Sequence, residues 1–497
     1  MPSDAHFRVV ILLAGLLYFA GAGDVHAGEW LVVPRFSLGE NYSDNINLTR
    51  SNTESDFITR AEPGLSVSGS GRRVDLNLQY NLQSLTYLDT TDNNDINHQL
   101  QSDLNIEVVR NIFFLNADAS MFQALVTNTG TISNRNYETN NNRTDVLTYG
   151  VRPEFRHHFG LWADMSASTQ VSDTIAFGSG SSREAGSGNS LDLNTRLTSG
   201  RRFTNTSWSL SNTSTVFNND SGAPSSKRQR WNGTVSRAIN RIFRLNGSFG
   251  YENNDSSGGG AGDDNGVTWD VGATITPNPR ASLTGRYGKR AFGDTKSFDF
   301  DYRRRRISIS GSYTEDLQTT SDQLRNQQLF PLEDPFGNPV FDPFGASDVD
   351  NPLGTLSLSD DVYVSRDFNA SVGYVRRRDN FVANVYRTER DRGATTGPEE
   401  AIGTVFSWTR NFSRRLSGGV TVTYRSGTSG ILEGGNPDLE ANPNSEVEVI
   451  VVSPSFSYSI GPHTNGQFSY SYMNSDSKDP TNVYTENSLS AALSFAF

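Results

Sequence analysis

The chain ends N-S-L-S-A-A-L-S-F-A-F at residues 487–497, and this stretch decides the fold class. Leu489, Ala491, Leu493, Phe495 and Phe497 share one side of an extended strand, while Ser488, Ser490, Ala492, Ser494 and Ala496 share the other. In water, an apolar strand edge running to the last residue would pair with other chains. In a transmembrane β-barrel, the same strand closes against the first strand and turns its apolar side to lipid.

The rest of the chain repeats the pattern. Val74, Leu76, Leu78, Tyr80 and Leu82 alternate with Asp75, Asn77, Gln79 and Asn81. Ile307, Ile309, Gly311 and Tyr313 alternate with Ser308, Ser310 and Ser312. Short turns, many carrying arginine, separate such strands. They fall at Gly71-Arg72-Arg73, Arg110-Asn111, Gly160, Gly200-Arg201-Arg202, Asn240-Arg241, Pro277-Asn278-Pro279, Arg303-Arg304-Arg305, Arg376-Arg377-Arg378, Ser413-Arg414-Arg415 and Gly461-Pro462. The alternate connections are longer and rich in Asn, Asp, Gly and Ser. Together these features predict an all-β fold, a transmembrane antiparallel up-and-down barrel of about 22 strands (range 18–24), with short periplasmic turns and long extracellular loops. An even strand number places both chain ends on the periplasmic side. A soluble all-β solenoid or sandwich would not account for the two loop lengths or the terminal Phe.

Composition agrees. The chain has 45 Gly, 29 Phe and 18 Tyr, which suit turns and strands, and no Cys. Mean hydropathy is −0.52, as a soluble protein would show, because every second residue of a barrel strand faces a polar lumen. A net charge of −12 argues against nucleic acid as a partner. At the start, Arg8 precedes an apolar run from Val9 to Ala20, followed by Val25-His26-Ala27. This is a secretory signal with cleavage expected between Ala27 and Gly28, leaving residues 28–497 as one barrel domain. Its apolar run is shorter than the roughly 20 residues of a membrane-spanning helix.

Chemistry of other kinds finds little support. Only His98, His157, His158 and His463 follow the signal, in no catalytic setting, so neither an enzyme nor a cofactor is expected. The acidic stretch Asp89 to Asp95 and the pair Asp263-Asp264 could hold a divalent cation. The first lacks the spacing of a calcium loop, and both read as solvated loops, with no metal site expected. The turn arginines read as cations reaching toward lipid headgroups. A barrel of this size is too wide for its side chains to fill. Residues 317–360 hold five prolines with Phe330, Phe336, Phe341 and Phe344 between them; these apolar rings would pack better folded inward, which makes the segment a candidate plug or gate.

Two resemblances extend this reading. Leu489, Leu493, Phe495 and Phe497 resemble the C-terminal assembly signal of bacterial outer-membrane proteins, which implies recognition by the barrel insertion machinery. The stretches Phe36-Ser-Leu-Gly-Glu-Asn-Tyr-Ser-Asp-Asn45, Tyr287-Gly-Lys-Arg-Ala-Phe-Gly293, 300–316, Asp342-Pro-Phe-Gly345 and 362–374 resemble the outer-membrane β-barrel family of PEP-CTERM/exosortase systems. That resemblance implies a Gram-negative outer-membrane location and a link to exopolysaccharide export. The expected partners are membrane lipid, lipopolysaccharide, exopolysaccharide and periplasmic export components. The function expected is a passive or gated conduit; the alternatives are a non-conducting scaffold of the export machinery and a surface adhesin.

Overall fold

The computed structural model describes residues 28–133, 135, 137–139, 142–177, 187–219, 225–256, 265–325, 358, 362–391, 398–428 and 446–497. The segment before residue 28, with Ala27, lies outside them, as do Asp263, Asp264, Phe330, Phe336, Phe341 and Phe344.

Twenty-two antiparallel strands form one closed sheet. The first eleven are β1 (Glu29–Ser43), β2 (Asp56–Ser70), β3 (Val74–Tyr87), β4 (Asp95–Val109), β5 (Phe113–Leu125), β6 (Arg143–Phe159), β7 (Ala163–Phe177), β8 (Gly188–Ser199), β9 (Thr206–Asn219), β10 (Ser226–Ala238) and β11 (Phe243–Ser256). The others are β12 (Asn265–Asn278), β13 (Ala281–Arg290), β14 (Gly293–Arg304), β15 (Ile307–Thr319), β16 (Val362–Arg376), β17 (Asp379–Asp391), β18 (Glu399–Asn411), β19 (Leu416–Thr428), β20 (Glu446–Gly461), β21 (Thr464–Ser477) and β22 (Tyr484–Ala496). Among the described residues one short α-helix, α1 (Thr320–Arg325), follows β15.

Closure falls where the terminal stretch places it. β22 pairs with β1 from Ser43↔Ser488 to Arg35↔Ala496, and the backbone N–H of Phe497 donates to the Pro34 carbonyl at 3.0 Å. No strand edge is left open, so every strand finds ladder partners on both sides. Leu489 and Leu493 point outward and are exposed, and Phe495 stands on the same face opposite Phe36. The ten expected turns all occur at one end of the barrel, together with residues 28 and 497. Asn111, Gly160 and Arg377 take positive φ there (58°, 60° and 46°), as tight strand reversals require.

The other end differs from expectation in two places. The connection between β13 and β14 is only residues 291–292, so the loop rim dips there. Residues 317–319 belong to β15 rather than to the long loop. Their backbone pairs with Val362 to Val364 of β16, which extends the ladder past the point where composition turns loop-like.

Register fixes which side chains face inward. Starting from Ser488 and Ser490, the alternation carries through every pairing around the barrel and returns to Asn41 and Ser43 of β1 without conflict. Outward rows hold exposed apolar residues such as Leu38, Phe57, Val151, Val171, Leu210, Trp231, Phe249 and Phe456. Inward rows hold mostly Ser, Thr, Asn, Gln and charged residues. No helix is long and apolar enough to cross a membrane, which says nothing against crossing by strands.

Candidate functional site: the barrel lumen

Toward the turn end, the inward rows are polar and reachable. Asn77, Asp103, Arg152, Asn194 and Arg196 are exposed there. A recess of about 360 Å³ in this wall is lined by Ser70, Asp75, Asn77, Asp103, Asp118 and Arg152, among others.

Toward the loop end, the inward rows change character. Ile58, Leu85, Tyr87, Val447, Val449, Val451, Met473 and Tyr484 face the lumen, yet all are buried. Water cannot cover such residues cheaply. Two segments of chain lie over the inward rows at this end, the first of them on these residues.

The first is the connection 126–142 between β5 and β6. Its described residues fold into the lumen and reach as far as β19. Ile132 packs with Leu48, the three β20 valines, Met473 and Tyr484. Tyr137 packs with Ile46, Ile58, Leu85 and Tyr87. Ile132 is 0% and Tyr137 1% exposed, so each contributes roughly 1.5–3 kcal/mol by burial. Polar contacts set the position. Arg135 Nη1 donates to Ser490 Oγ at 2.7 Å, Arg425 Nη2 to the Asn128 carbonyl at 3.3 Å, and Asn482 Nδ2 to the Thr129 carbonyl at 2.8 Å. The Tyr484 hydroxyl donates to the Ile132 carbonyl and the Tyr87 hydroxyl to the Tyr137 carbonyl. Burial pushes the Tyr137 hydroxyl up to about 12. The Glu138 carboxyl lies against that of Glu486, and burial, then its neighbour's charge, raise it well above the ordinary carboxylate range.

The second segment begins with α1. Leu324 packs on Phe122, Ala124, Val146 and Ala176 of β5, β6 and β7, together with Leu358. Asp322 is the hub. It accepts from Arg228 Nη2 of β10 at 2.6 Å, Arg325 Nη2 at 2.6 Å, and both the N–H and hydroxyl of Thr319. Arg325 also reaches Ser172 Oγ at 2.8 Å and Asp192 Oδ2 at 2.9 Å. Ser321 and Thr174 share a hydroxyl hydrogen bond at 3.0 Å, and Gln323 accepts from Arg390 of β17. Burial opposes charge on Asp322, but Arg228 and Arg325 outweigh it and draw the carboxyl down to about 2. The same opposition holds Arg325 above its ordinary value: burial lowers it, and Asp322 and Asp192 more than restore it. The two segments touch where the Leu358 N–H donates to the Val126 carbonyl at 3.1 Å. The loop end of the lumen is therefore crossed from both sides.

Among the described residues, the other sequence candidates do not converge. His158 Nδ1 lies 2.6 Å from Asp164 Oδ1 at the turn end, His98 meets the Tyr80 hydroxyl on the outer face, and His463 sits in a separate turn. Asp89 to Asp95 is shaped by Asp56, which accepts the N–H groups of Leu88, Asp89 and Thr90. Beyond β15, the described residues of the long loop are α1 and Leu358, which pack on the lumen wall; the four phenylalanines expected to gate it lie outside the described residues. The inward fold of 126–142 was not anticipated. Its trace in the sequence is the set of apolar residues on lumen positions, above all Val447, Val449 and Val451.

The family described as "Putative beta-barrel porin 2" matches residues 19–196, ending within β8. No curated protein matches. Among solved structures, a mutant of the ferric enterobactin receptor PfeA of Pseudomonas aeruginosa is 9% identical, covers 94% of this chain and 80% of its own, and has a TM-score of 0.51. The FrpB iron transporter of Neisseria meningitidis, in its apoprotein form, is 10% identical, with coverage of 94% and 81% and a TM-score of 0.51. At this identity the likeness to the solved structures is one of fold alone, a closed β-barrel of the outer-membrane kind.

Proposed function

With a porin-like barrel of the outer-membrane type as premise, we propose that the chain is a gated conduit of the bacterial outer membrane, with its turn end in the periplasm. The observation that carries this is a polar lumen that, among the described residues, is reachable at the turn end and is crossed at the loop end by two segments of the chain's own loops. These are held mainly by side-chain contacts, which can be broken without unpairing a strand. The resemblance to barrels of exopolysaccharide systems supports an extended, hydroxyl-rich polymer as cargo, and the Ser-, Thr- and Asn-rich lumen wall is chemically suited to one. On this reading the protein transports and does not catalyse, and Leu489, Leu493, Phe495 and Phe497 address it to the insertion machinery.

The test is ion conductance of the refolded barrel in a planar bilayer. Small or rare steps are expected from the intact chain. Large, long-lived steps are expected when 126–142 is replaced by a short turn, and larger ones when 320–361 is shortened too. Silence from all three proteins, with strand content intact by circular dichroism, would refute the conduit. A second reading, a non-conducting scaffold, is favoured by the three apolar clusters that fill the loop end. It predicts that silence, together with a periplasmic protein partner.

A further inference from the structure

Charge is segregated along the barrel axis. The ten short turns carry thirteen arginines and not one Asp or Glu, in a chain whose net charge is −12. Several arginines elsewhere in the described barrel are matched by carboxylates: Arg228 with Asp322, Arg286 with Asp270, Arg290 with Glu252 and Asp316, Arg366 with Glu389. At the turn end itself, Arg156 pairs with Glu154 and Arg410 with Asp379.

At one place on this end, four arginines line a single concavity. The β12–β13 and β14–β15 turns lie side by side, joined by the Arg303 N–H donating to the Arg280 carbonyl at 2.8 Å. Between them is a concavity of about 450 Å³ lined by Arg280, Arg303, Arg304 and Arg305. Arg280, Arg304 and Arg305 make no ion pair among the described residues. Asp299 and Asp301 of β14 lie in the lumen-facing row that Arg303 continues, and no ion pair among the described residues joins them to Arg280, Arg304 or Arg305. Guanidiniums gathered this closely repel one another, and an anion among them would remove that cost. A phosphate suits the place because each guanidinium can present two parallel N–H donors to its oxygens.

The position selects the source of the phosphate. Arg304 stands in one outward row with Ile307, Tyr374, Phe381 and Trp408. The rings of Tyr374, Phe381 and Trp408 stack at 6.2 and 6.5 Å, forming an aromatic band of the kind that marks a membrane–water boundary. A cleft at the edge of that band sits at headgroup depth. We propose that Arg280, Arg303, Arg304 and Arg305 form a binding site for the phosphate of an anionic phospholipid in the leaflet at the turn end. The sidedness rests on the outer-membrane reading; the cleft itself does not.

The test uses full-length refolded barrel in detergent, its folding first confirmed by heat-modifiable migration. Retention of cardiolipin and of phosphatidylcholine is measured by native mass spectrometry. The wild type is compared with the Arg280→Gln/Arg304→Gln/Arg305→Gln variant and with an Arg72→Gln/Arg73→Gln control on another turn. Cardiolipin retained at least tenfold over phosphatidylcholine, lost in the triple variant and kept in the control, supports the site. Equal losses in both variants would reduce it to general attraction by the turn-end charge and overturn it, as would no preference for cardiolipin. A further arm adds inorganic pyrophosphate alone. If it binds the wild type and not the triple variant while cardiolipin shows no preference, the ligand is a soluble phosphate and the lipid assignment falls. Because folding is scored separately, loss of lipid binding in a folded barrel is distinguishable from failure of the barrel reading.

Discussion

Replacing Asp322 by Asn should undock α1 from the lumen wall. The carboxylate is drawn from 3.8 to about 2 by its place between Arg228 and Arg325. At about 1.4 kcal/mol per unit, the ionised form is favoured by about 2 kcal/mol in the docked state, equivalent to a roughly 50-fold change in the docking equilibrium. Asn keeps the size and loses the charge. It also leaves Arg228 with the Leu317 carbonyl and Arg325 with Asp192 and Ser172 as their remaining partners, which adds to the loss. The chain has no cysteine, so Ser321→Cys supplies a nearly isosteric probe at a site 1% exposed. Its reaction with a membrane-impermeant thiol reagent follows the undocked population when redocking is fast. Adding Asp322→Asn to S321C should speed labelling roughly 50-fold at neutral pH. The sign with pH is set by the lowered value: the stabilisation is present above about pH 4 and is lost as pH falls toward 2. S321C labelled with a pyridyl disulfide, which reacts in acid, should therefore accelerate over that window, and the double variant should not. An acceleration below threefold at neutral pH would show that Asp322 does not hold α1, and would refute the argument.

The loop 126–142 should respond to pH in the opposite sense. Glu138 is raised when the loop is docked, so docking is strongest in acid and weakens as pH rises above the ordinary Glu value of 4.5. A Ser133→Cys probe should label faster from pH 5 to 8, and Glu138→Gln, which supplies an N–H to Glu486 without titrating, should reduce that dependence. Deleting Phe497 removes the bond to Pro34 at the closing seam and the end of the assembly signal; the heat-modifiable, membrane-inserted fraction in cells should fall severalfold. Ile132→Ala should cost the loop about 2–5 kcal/mol by leaving a cavity among the β20 valines, read as a rise in S133C labelling of thirtyfold or more with strand content unchanged.

The sequence by itself determined the barrel. Period-two alternation is a local property of a strand, and the ten turns are written in adjacent residues, so strand number, turn positions and the closing role of residues 487–497 could all be read directly. Alternation also separates the two faces of any one strand, as in β3, where Asp75 and Asn77 oppose Leu76 and Leu78. It does not separate them where both faces are apolar. In β20, Val447, Val449 and Val451 face the lumen while Ile450 and Val452 face outward. Nothing local distinguishes these sets, and only the register carried around the closed sheet assigns them. Once it does, apolar side chains stand inside a polar channel and demand cover. The segment that covers them, 126–142, is polar and loop-like to the eye. Its contacts reach residues such as Asn482, 353 positions away along the chain. The same holds for α1, whose Asp322 meets its Arg228 partner across 94 residues. Where the lumen is obstructed was thus decided by the tertiary structure. The burial and ion pairing that hold a loop inward depend on which distant residues closure places opposite it, and that information is absent from either segment alone.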